Sequence, residues 1–291
     1  MSKQQSAIEK FRALHDSGCF VLPNPWDVGS AIYLEHVGFK ALATTSAGFA
    51  WSKGLPDGAA FVSRDMMLAH CREIAAESSL PVNADFQNAY ADDPEGVAES
   101  VKLCVATGVA GLSVEDSTGL RDHPLYDFDL AVERIKAARA AIDAALAPET
   151  RASGSSDYRV VLTARCEAHL VGDPNPLRTS LDRLVAFADA GADCLYAPGV
   201  TKPDEIAAIV KAVSPKPVNV LVFARNCDLT LAQLADLGVR RISVGSSLAR
   251  VAWGALVQGA KEIQTKGSFA SFGEATTFDF NGLFARGGHS E

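Results

Sequence analysis

A parallel α/β barrel of the (β/α)8 TIM type is the fold predicted for this 291-residue chain, and three observations predict it. Eight short apolar segments, each fit for a strand, alternate with helical patterns along the sequence. Four helix ends share one junction, in which Gly38, Gly108, Gly191 or Gly238 leads into the next strand. Glycine just past a helix takes the left-handed cap at little steric cost. Three apolar segments then end in charge: 81–90 through Asp85, 111–116 through Glu115, and 160–167 through Arg165. In a parallel barrel all such ends meet at one mouth. A doubly wound sheet is the competing arrangement. Eight units in this length favour closure, and no G-x-G-x-x-G follows the first strand.

In chain order, residues 5–17 carry an amphipathic pattern (Ile8, Phe11, Leu14) for a helix covering the bottom of the barrel. Strands are expected over 19–22, 41–45, 82–86, 111–115, 160–165, 194–197, 218–221 and 241–244. A helix follows the first strand and runs to about His36. The remaining helices are expected over 63–78, 94–107, 128–146, 178–190, 203–213, 229–237 and 247–263. Prolines rather than glycines introduce the third and seventh strands, at Pro81 and Pro217.

Two connections on the mouth side exceed the usual short βα turn. One is 46–62, rich in Gly, Ser and Asp; the other is 117–127, a candidate lid. Residues 147–157 fall on the opposite side and read as a surface loop. The chain is thus expected to form a single barrel domain with its core at about 8–265, followed by an extension over 266–291. Phe269, Phe272, Phe278, Phe280 and Phe284 in the tail need a surface to bury against, and another subunit is the expected one.

The apolar share of 48% is ample for a large core. A net charge of −8 argues against a nucleic-acid partner, because phosphate binding needs a basic face. No run of about 18 uncharged apolar residues is present, so no membrane-spanning helix and no membrane partner are expected. The polar start Met1–Gln5 has no apolar signal region, which points to the cytoplasm. Six cysteines (19, 71, 104, 166, 194, 227) form no C-x-x-C pair and read as reduced thiols.

Strand ends gather Asn24, Trp26 and Asp27; Thr45 and Ser46; Asp85 and Gln87; Glu115 and Asp116; Arg165 and Glu167; Asn219; and 245–247. Alternation puts Asp85 with Gln87, and Arg165 with Glu167, on one face. So many carboxylates with few matching cations suit a hard divalent metal, which takes one or two of them and keeps several waters. Asp85 is the expected direct ligand, with Glu115 and Asp57 reached through water. No histidine lies at a strand end, which argues against zinc. Nor does a lysine, which leaves a Schiff-base aldolase without a nucleophile.

Arg165 supplies fixed positive charge for an anionic substrate or an enolate. The plainer alternative pairs it structurally with Glu167 or Glu115. For Asp85 the plainer role is a turn or cap residue. Ser246 reads first as a helix cap and second as a phosphate contact. His123 in the candidate lid is either a solvated loop residue or an acid.

Five motifs, in their order on successive strand ends, resemble the isocitrate lyase/phosphoenolpyruvate mutase superfamily. They are 44–48 (TTSAG), 54–57 (GLPD), 85–90 (DFQNAY), 113–116 (SVED) and 164–168 (ARCEA), and the resemblance covers residues 8–265. It implies a (β/α)8 barrel whose last helix is exchanged between subunits, in a dimer or tetramer. It also implies Mg2+ or Mn2+ and a small anionic 2-oxo or 2-hydroxy carboxylic acid. Carried over, Asp85 anchors the metal, with Asp57, Glu115 and Gln87 around it. Thr45, Ser46, Trp26, Arg165 and Asn219 bind substrate, and Arg165 offsets enolate charge.

Two departures stand out. Gln87 occupies the place of a second family aspartate, which removes a charge from the metal shell. The lid 117–127 has neither the lysine nor the cysteine of the isocitrate lyase Lys-x-Cys-Gly-His signature. A lyase needing a thiol acid is therefore disfavoured. Cys166 points away from the Arg165 face, and Cys227 is a distant, unsupported substitute.

The expected function is a Mg2+-dependent C–C lyase or decarboxylase working through a metal-stabilised enolate. Arg165 and Glu115 are its catalytic candidates, with His123 or Tyr126 as lid proton donors. Phosphonopyruvate hydrolysis or phosphoenolpyruvate mutation, which is P–C chemistry, is the second reading. A catalytically inactive metabolite-binding barrel is the third, since fold alone does not choose.

Overall fold

The computed structural model describes residues 2–145, 158–224 and 228–287. The loop read over 147–157 and Cys227 lie outside the described residues.

Eight parallel strands form one sheet: β1 (Phe20–Leu22), β2 (Leu42–Ala43), β3 (Val82–Asp85), β4 (Gly111–Glu115), β5 (Val161–Arg165), β6 (Cys194–Tyr196), β7 (Val218–Leu221) and β8 (Arg241–Ser243). Their order runs β1-β8-β7-β6-β5-β4-β3-β2, with every neighbour parallel. That is a nearly closed (β/α)8 barrel. The seam lies between β1 and β2, where one backbone bond joins the strands, from the Ala43 amide to the Pro23 carbonyl at 3.0 Å. The Asn24 side chain completes the closure. It donates to the Thr44 carbonyl at 2.9 Å and accepts from the amides of Val244 (3.0 Å) and Gly245 (2.8 Å).

The helices between the strands are α1 (Lys3–Asp16), α2 (Val28–Val37), α3 (Ser46–Ser52), α4 (Arg64–Glu77), α5 (Pro94–Val105), α6 (Phe128–Ala144), α7 (Ala168–Val171), α8 (Pro176–Asp189), α9 (Pro203–Val213), α10 (Leu231–Asp236) and α11 (Ser247–Lys266). The repeated glycine junction holds: Gly38 ends α2 at φ 101°, donating to the Glu35 carbonyl, and Gly108, Gly191 and Gly238 share its left-handed backbone. Polar side chains start several helices, Ser63 accepting from Met66 N and Asp93 from Gly96 N. None of the described helices is long and apolar enough to cross a membrane.

The short helix α7 was not expected, and two further elements depart from the sequence reading. The stretch 46–62 is not all loop, because α3 occupies its start. Thr45 caps that helix by accepting from Gly48 N, and Phe49 and Ala50 bury one side of it. For the same reason β2 stops at Ala43, since Thr44 and Thr45 already turn into the cap.

Beneath the barrel, α1 acts as a plug. Phe11 is fully buried against Gly111, where a Cβ would stand 2.6 Å from its ring. Gly111 therefore leaves the space that the plug fills. Asp193 ties this end together, accepting from Arg12 of α1 (3.1 Å), Arg139 of α6 (2.8 Å) and the Leu162 amide (2.9 Å). Two guanidiniums and an amide hold its carboxyl below the usual range despite burial.

The C-terminal segment behaves differently from the barrel. Of α11 only Ala249 is buried, while Val251 is 71% and Leu256 58% exposed. A 3-10 turn (Ala270–Glu274) leans on α11 through Glu262, which accepts from Ser268 Oγ and Ser271 N. A last helix, α12 (Phe280–Gly287), returns to α2. The aromatic tail thus divides. Phe278 and Phe280 pack on Tyr33 of α2 within the same chain, whereas Phe269 and Phe272 stay exposed. All five tail phenylalanines keep a third or more of their surface exposed.

Candidate active site

The strand ends enclose a cavity of about 170 Å³ lined by Asp57, Asp85, Arg165, Tyr196, Asn219 and Arg241, with Thr45, Ser46 and Ser243 among its other walls. Alternation explains the lining. Asn83 and Asp85 of β3, Asn219 and Leu221 of β7, and Arg241 and Ser243 of β8 each stand two apart and face inward.

Asp85 is the hub. Its Oδ2 accepts from the Ser46 amide at the start of α3 (3.0 Å), and its Oδ1 meets Arg165 Nη1 at 3.2 Å. Its own amide donates to Thr44 Oγ1 at 2.8 Å, which fixes the strand end. Arg165 also meets Glu115 Oε2 through Nη1 at 3.2 Å and bonds Glu167 through Nε. Its guanidinium carbon lies 5.4 Å from the centroid of the Tyr196 ring. Asp57, from the loop after α3, lines the same cavity as Ser46 and Asp85.

Three carboxylates therefore share one guanidinium, with Asp57 close by. Burial pushes Glu115 up to about 8, with Arg165 opposing the shift. Asp57 is raised by burial and then by Asp85, and Glu167 is raised mainly by burial. These three acids are held against their ionised state. An all-oxygen set with surplus negative charge fits a hard divalent cation. Among the described residues no three His, Cys, Asp or Glu enclose such an ion alone, so it would keep waters as ligands.

Several residues read from the sequence lie elsewhere. Asp116 points behind the mouth, where it pairs with Arg183 at 3.0 Å and accepts from the Glu167 amide at 2.8 Å. Gln87 does not continue the Asp85 face, because the strand stops and the chain turns through φ 48°. Its Nε2 is buried without a partner among the described residues, and it does not line the cavity. Trp26 is half-buried under α3, its Cβ beside Gly48, and it too is outside the cavity. Asn24 takes the place expected for it.

The lid candidates stand apart from the cavity lining. Residues 117–127 fold back on themselves through a Ser117–Leu125 bridge and a bond from Thr118 N to the Pro124 carbonyl. His123 is exposed to solvent at the loop's outer end. Tyr126 is buried, donating to Asp92 Oδ1 at 2.5 Å and accepting from Asn88 Nδ2 at 3.0 Å, with Arg134 3.9 Å over its ring. These bonds use its hydroxyl in a structural network away from the cavity. Cys166 is buried beside Ser180, off the Arg165 face as alternation predicts.

Arg241 and Tyr196 were missed. Both carry a legible signal, since Arg241 is in phase with Ser243, and Tyr196 ends its strand level with Arg165.

Comparison with known proteins places this geometry. A family model described as phosphoenolpyruvate phosphomutase matches residues 11–264. An uncharacterized protein of Mycobacterium tuberculosis is 33% identical over 239 residues, 81% of each chain. The crystal structure of a "putative lyase/mutase" from Burkholderia cenocepacia J2315 is 46% identical, with TM-score 0.89 over 97% of both chains. Two further solved structures, each 27% identical with TM-score 0.79 over 99% of this chain, carry named activities. One is 2,3-dimethylmalate lyase (96% of its chain), and the other is phosphonopyruvate hydrolase complexed with oxalate and Mg2+ (95% of its chain).

Proposed function

This chain belongs to the isocitrate lyase/phosphoenolpyruvate mutase superfamily, and on that premise we propose that it is a Mg2+-dependent carbon–carbon lyase or decarboxylase. Its substrate is a small 2-oxo or 2-hydroxy acid. The observation that carries the reading is Asp85, which joins the Ser46 amide to the Arg165 guanidinium at the cavity, where Arg165 also pairs with Glu115 and Glu167.

Asp85 would hold the metal, with Asp57 and Glu115 as the further carboxylates around it. The bound ion supplies electrophilic polarisation of the substrate's carboxylate and adjacent oxygen. The start of α3, at Thr45 and Ser46, orients the substrate carboxylate, and Asn219 holds its far side. Arg165 is kept in place by Glu115 and Glu167 and offsets the negative charge that develops as the bond breaks. The lid proton donors expected at His123 and Tyr126 are dropped, and no side chain is put in their place.

The test is pyruvate or glyoxylate release from oxaloacetate, isocitrate, 2-methylisocitrate, 2,3-dimethylmalate and phosphonopyruvate, with Mg2+ and with excess chelator. Chelator-sensitive release from a carboxylic acid is the expected result. Phosphate release from phosphonopyruvate would replace it with P–C chemistry, a reading supported by the likeness to phosphonopyruvate hydrolase. Undiminished metal-dependent turnover by Asp85→Asn would overturn the site assignment.

The same reading includes a homo-oligomer in which α11 is exchanged between copies. Its support is the exposed face of Val251, Leu256 and Val257. Light scattering showing a monomer at micromolar concentration would reject it.

A further inference from the structure

The barrel has a second cavity at the end opposite the mouth. It measures about 320 Å³ and lies between α1 and the starts of β5 to β8. Arg12, His15 and Asp16 line it from α1, Lys216 from the turn before β7, and Arg240 from the residue before β8. Cations outnumber acids in this lining, although the chain as a whole carries −8.

The acids are accounted for and the cations are not. Both oxygens of Asp193 are taken, Oδ1 by Arg12 and Oδ2 by Arg139 and the Leu162 amide. Asp16 stands in solvent at the rim. Lys216 is partly buried, and among the described residues its ammonium has no hydrogen bond and no ion pair. Pro215 and Pro217 flank it, and their fixed φ angles hold the lysine on a stiff turn. The Lys216 amide closes that turn on the Val213 carbonyl at 2.9 Å. Arg240 donates to the Gly18 carbonyl at 2.6 Å, and among the described residues it pairs with no carboxylate. A guanidinium has five N–H donors, so most of its capacity is unspent.

The two cavities are separated by a partition of two side chains. His15 lines the lower one and Arg241 the upper one, with His15 Nε2 3.5 Å from Arg241 Nη1. His15 Nδ1 meets the Phe11 carbonyl at 2.7 Å, so that nitrogen carries the proton. Burial and Arg241 keep the ring neutral, and it neither adds to nor cancels the cations below.

We propose that this lower cavity is a phosphate site, taking inorganic phosphate or the phosphate of a small phosphomonoester, apart from the chemistry at the mouth. Arg12, Lys216 and Arg240 come from three different elements around it. A tetrahedral phosphate offers an oxygen to each, whereas a planar carboxylate has two oxygens to share among three. Charge agrees, because a phosphomonoester carries about −1.5 to −2 near neutral pH.

The test is calorimetry on the full chain with inorganic phosphate, glycerol 3-phosphate and acetate, in excess chelator and at constant ionic strength. Wild type is expected to bind phosphate with a dissociation constant of about 1 mM or tighter, and acetate at least about 10-fold more weakly. The tighter of the two phosphates identifies the occupant. Lys216→Glu is expected to weaken phosphate binding by about 10- to 100-fold, the range of a charge-assisted hydrogen bond, with a thermal melt showing that the variant folds. No phosphate binding by wild type at about 10 mM, acetate held as tightly as phosphate, or equal affinity in wild type and K216E overturns the site. Should K216E fail to fold, Lys216→Gln must weaken phosphate binding, and an unchanged affinity is equally fatal. Neither Mg2+ nor the mouth enters this measurement, so the proposed function stands or falls separately.

Discussion

The two ends of the barrel each concentrate charge, and they do so with opposite balance. At the bottom, Asp193 has two guanidiniums and an amide, and its carboxyl is held low. At the mouth, three carboxylates share Arg165 with Asp57 close by, and Glu115, Glu167 and Asp57 are held high. Both clusters look like buried ion pairs. The balance distinguishes them: a satisfied cluster is finished by folding, whereas an over-acidic one at strand ends is a candidate ligand site.

Substitutions should separate the two ends. Asp85→Asn is expected to lower turnover by about 10³-fold or more, equivalent to about 4 kcal/mol of barrel-mouth chemistry, with little change in melting temperature. Steady-state kinetics beside a thermal melt checks both halves. Asp193→Asn is expected to do the reverse, costing about 3–5 kcal/mol of stability by leaving Arg12 and Arg139 facing a neutral amide. Urea denaturation reads that loss, and undiminished stability would dissolve the contrast.

Smaller effects sharpen it. Mg2+ at 100 times its dissociation constant should stabilise wild type by about 2.7 kcal/mol and D85N far less, as read by melting with and without chelator. Acid should act at the bottom. Asp193 has a folded pKa below its unfolded value, so its contribution is present above about pH 4 and is lost as pH falls through the folded pKa. His15, held neutral at about 3, adds a wider window. The unfolded chain takes up the proton below about pH 6.5 and the folded one does not, so stability falls by about 1.4 kcal/mol per pH unit between the two values. The raised acids at the mouth act with the opposite sign over this range, so the test compares wild type with His15→Gln. The stability difference between them should change steadily from about pH 6.5 to 4, and a constant difference would contradict this.

Much of this was legible in the sequence. The strand-ending acids and Arg165 stood at predicted boundaries, and the glycine junctions fixed where strands begin. What escaped depends on contacts distant in sequence. Asp116 and Glu115 are adjacent, yet which one faces the mouth follows from Arg183 on α8 claiming the other. Tyr126 read as a lid group until Asn88 and Asp92 were seen to bind it. Gln87 was assigned to a strand face that its φ of 48° ends. Arg241 was passed over although strand alternation points it inward.

The seam between β1 and β2 has its own consequence. Seven edges of the barrel are laced by ladders, and the eighth is fastened by one backbone bond and the Asn24 amide. A hoop closed this way has a preferred place to spring open, beside Ser46. The Ala43 amide should therefore exchange with deuterium sooner than its counterparts in the β4–β5 ladder. New chain termini or a wider mouth are best engineered at that clasp.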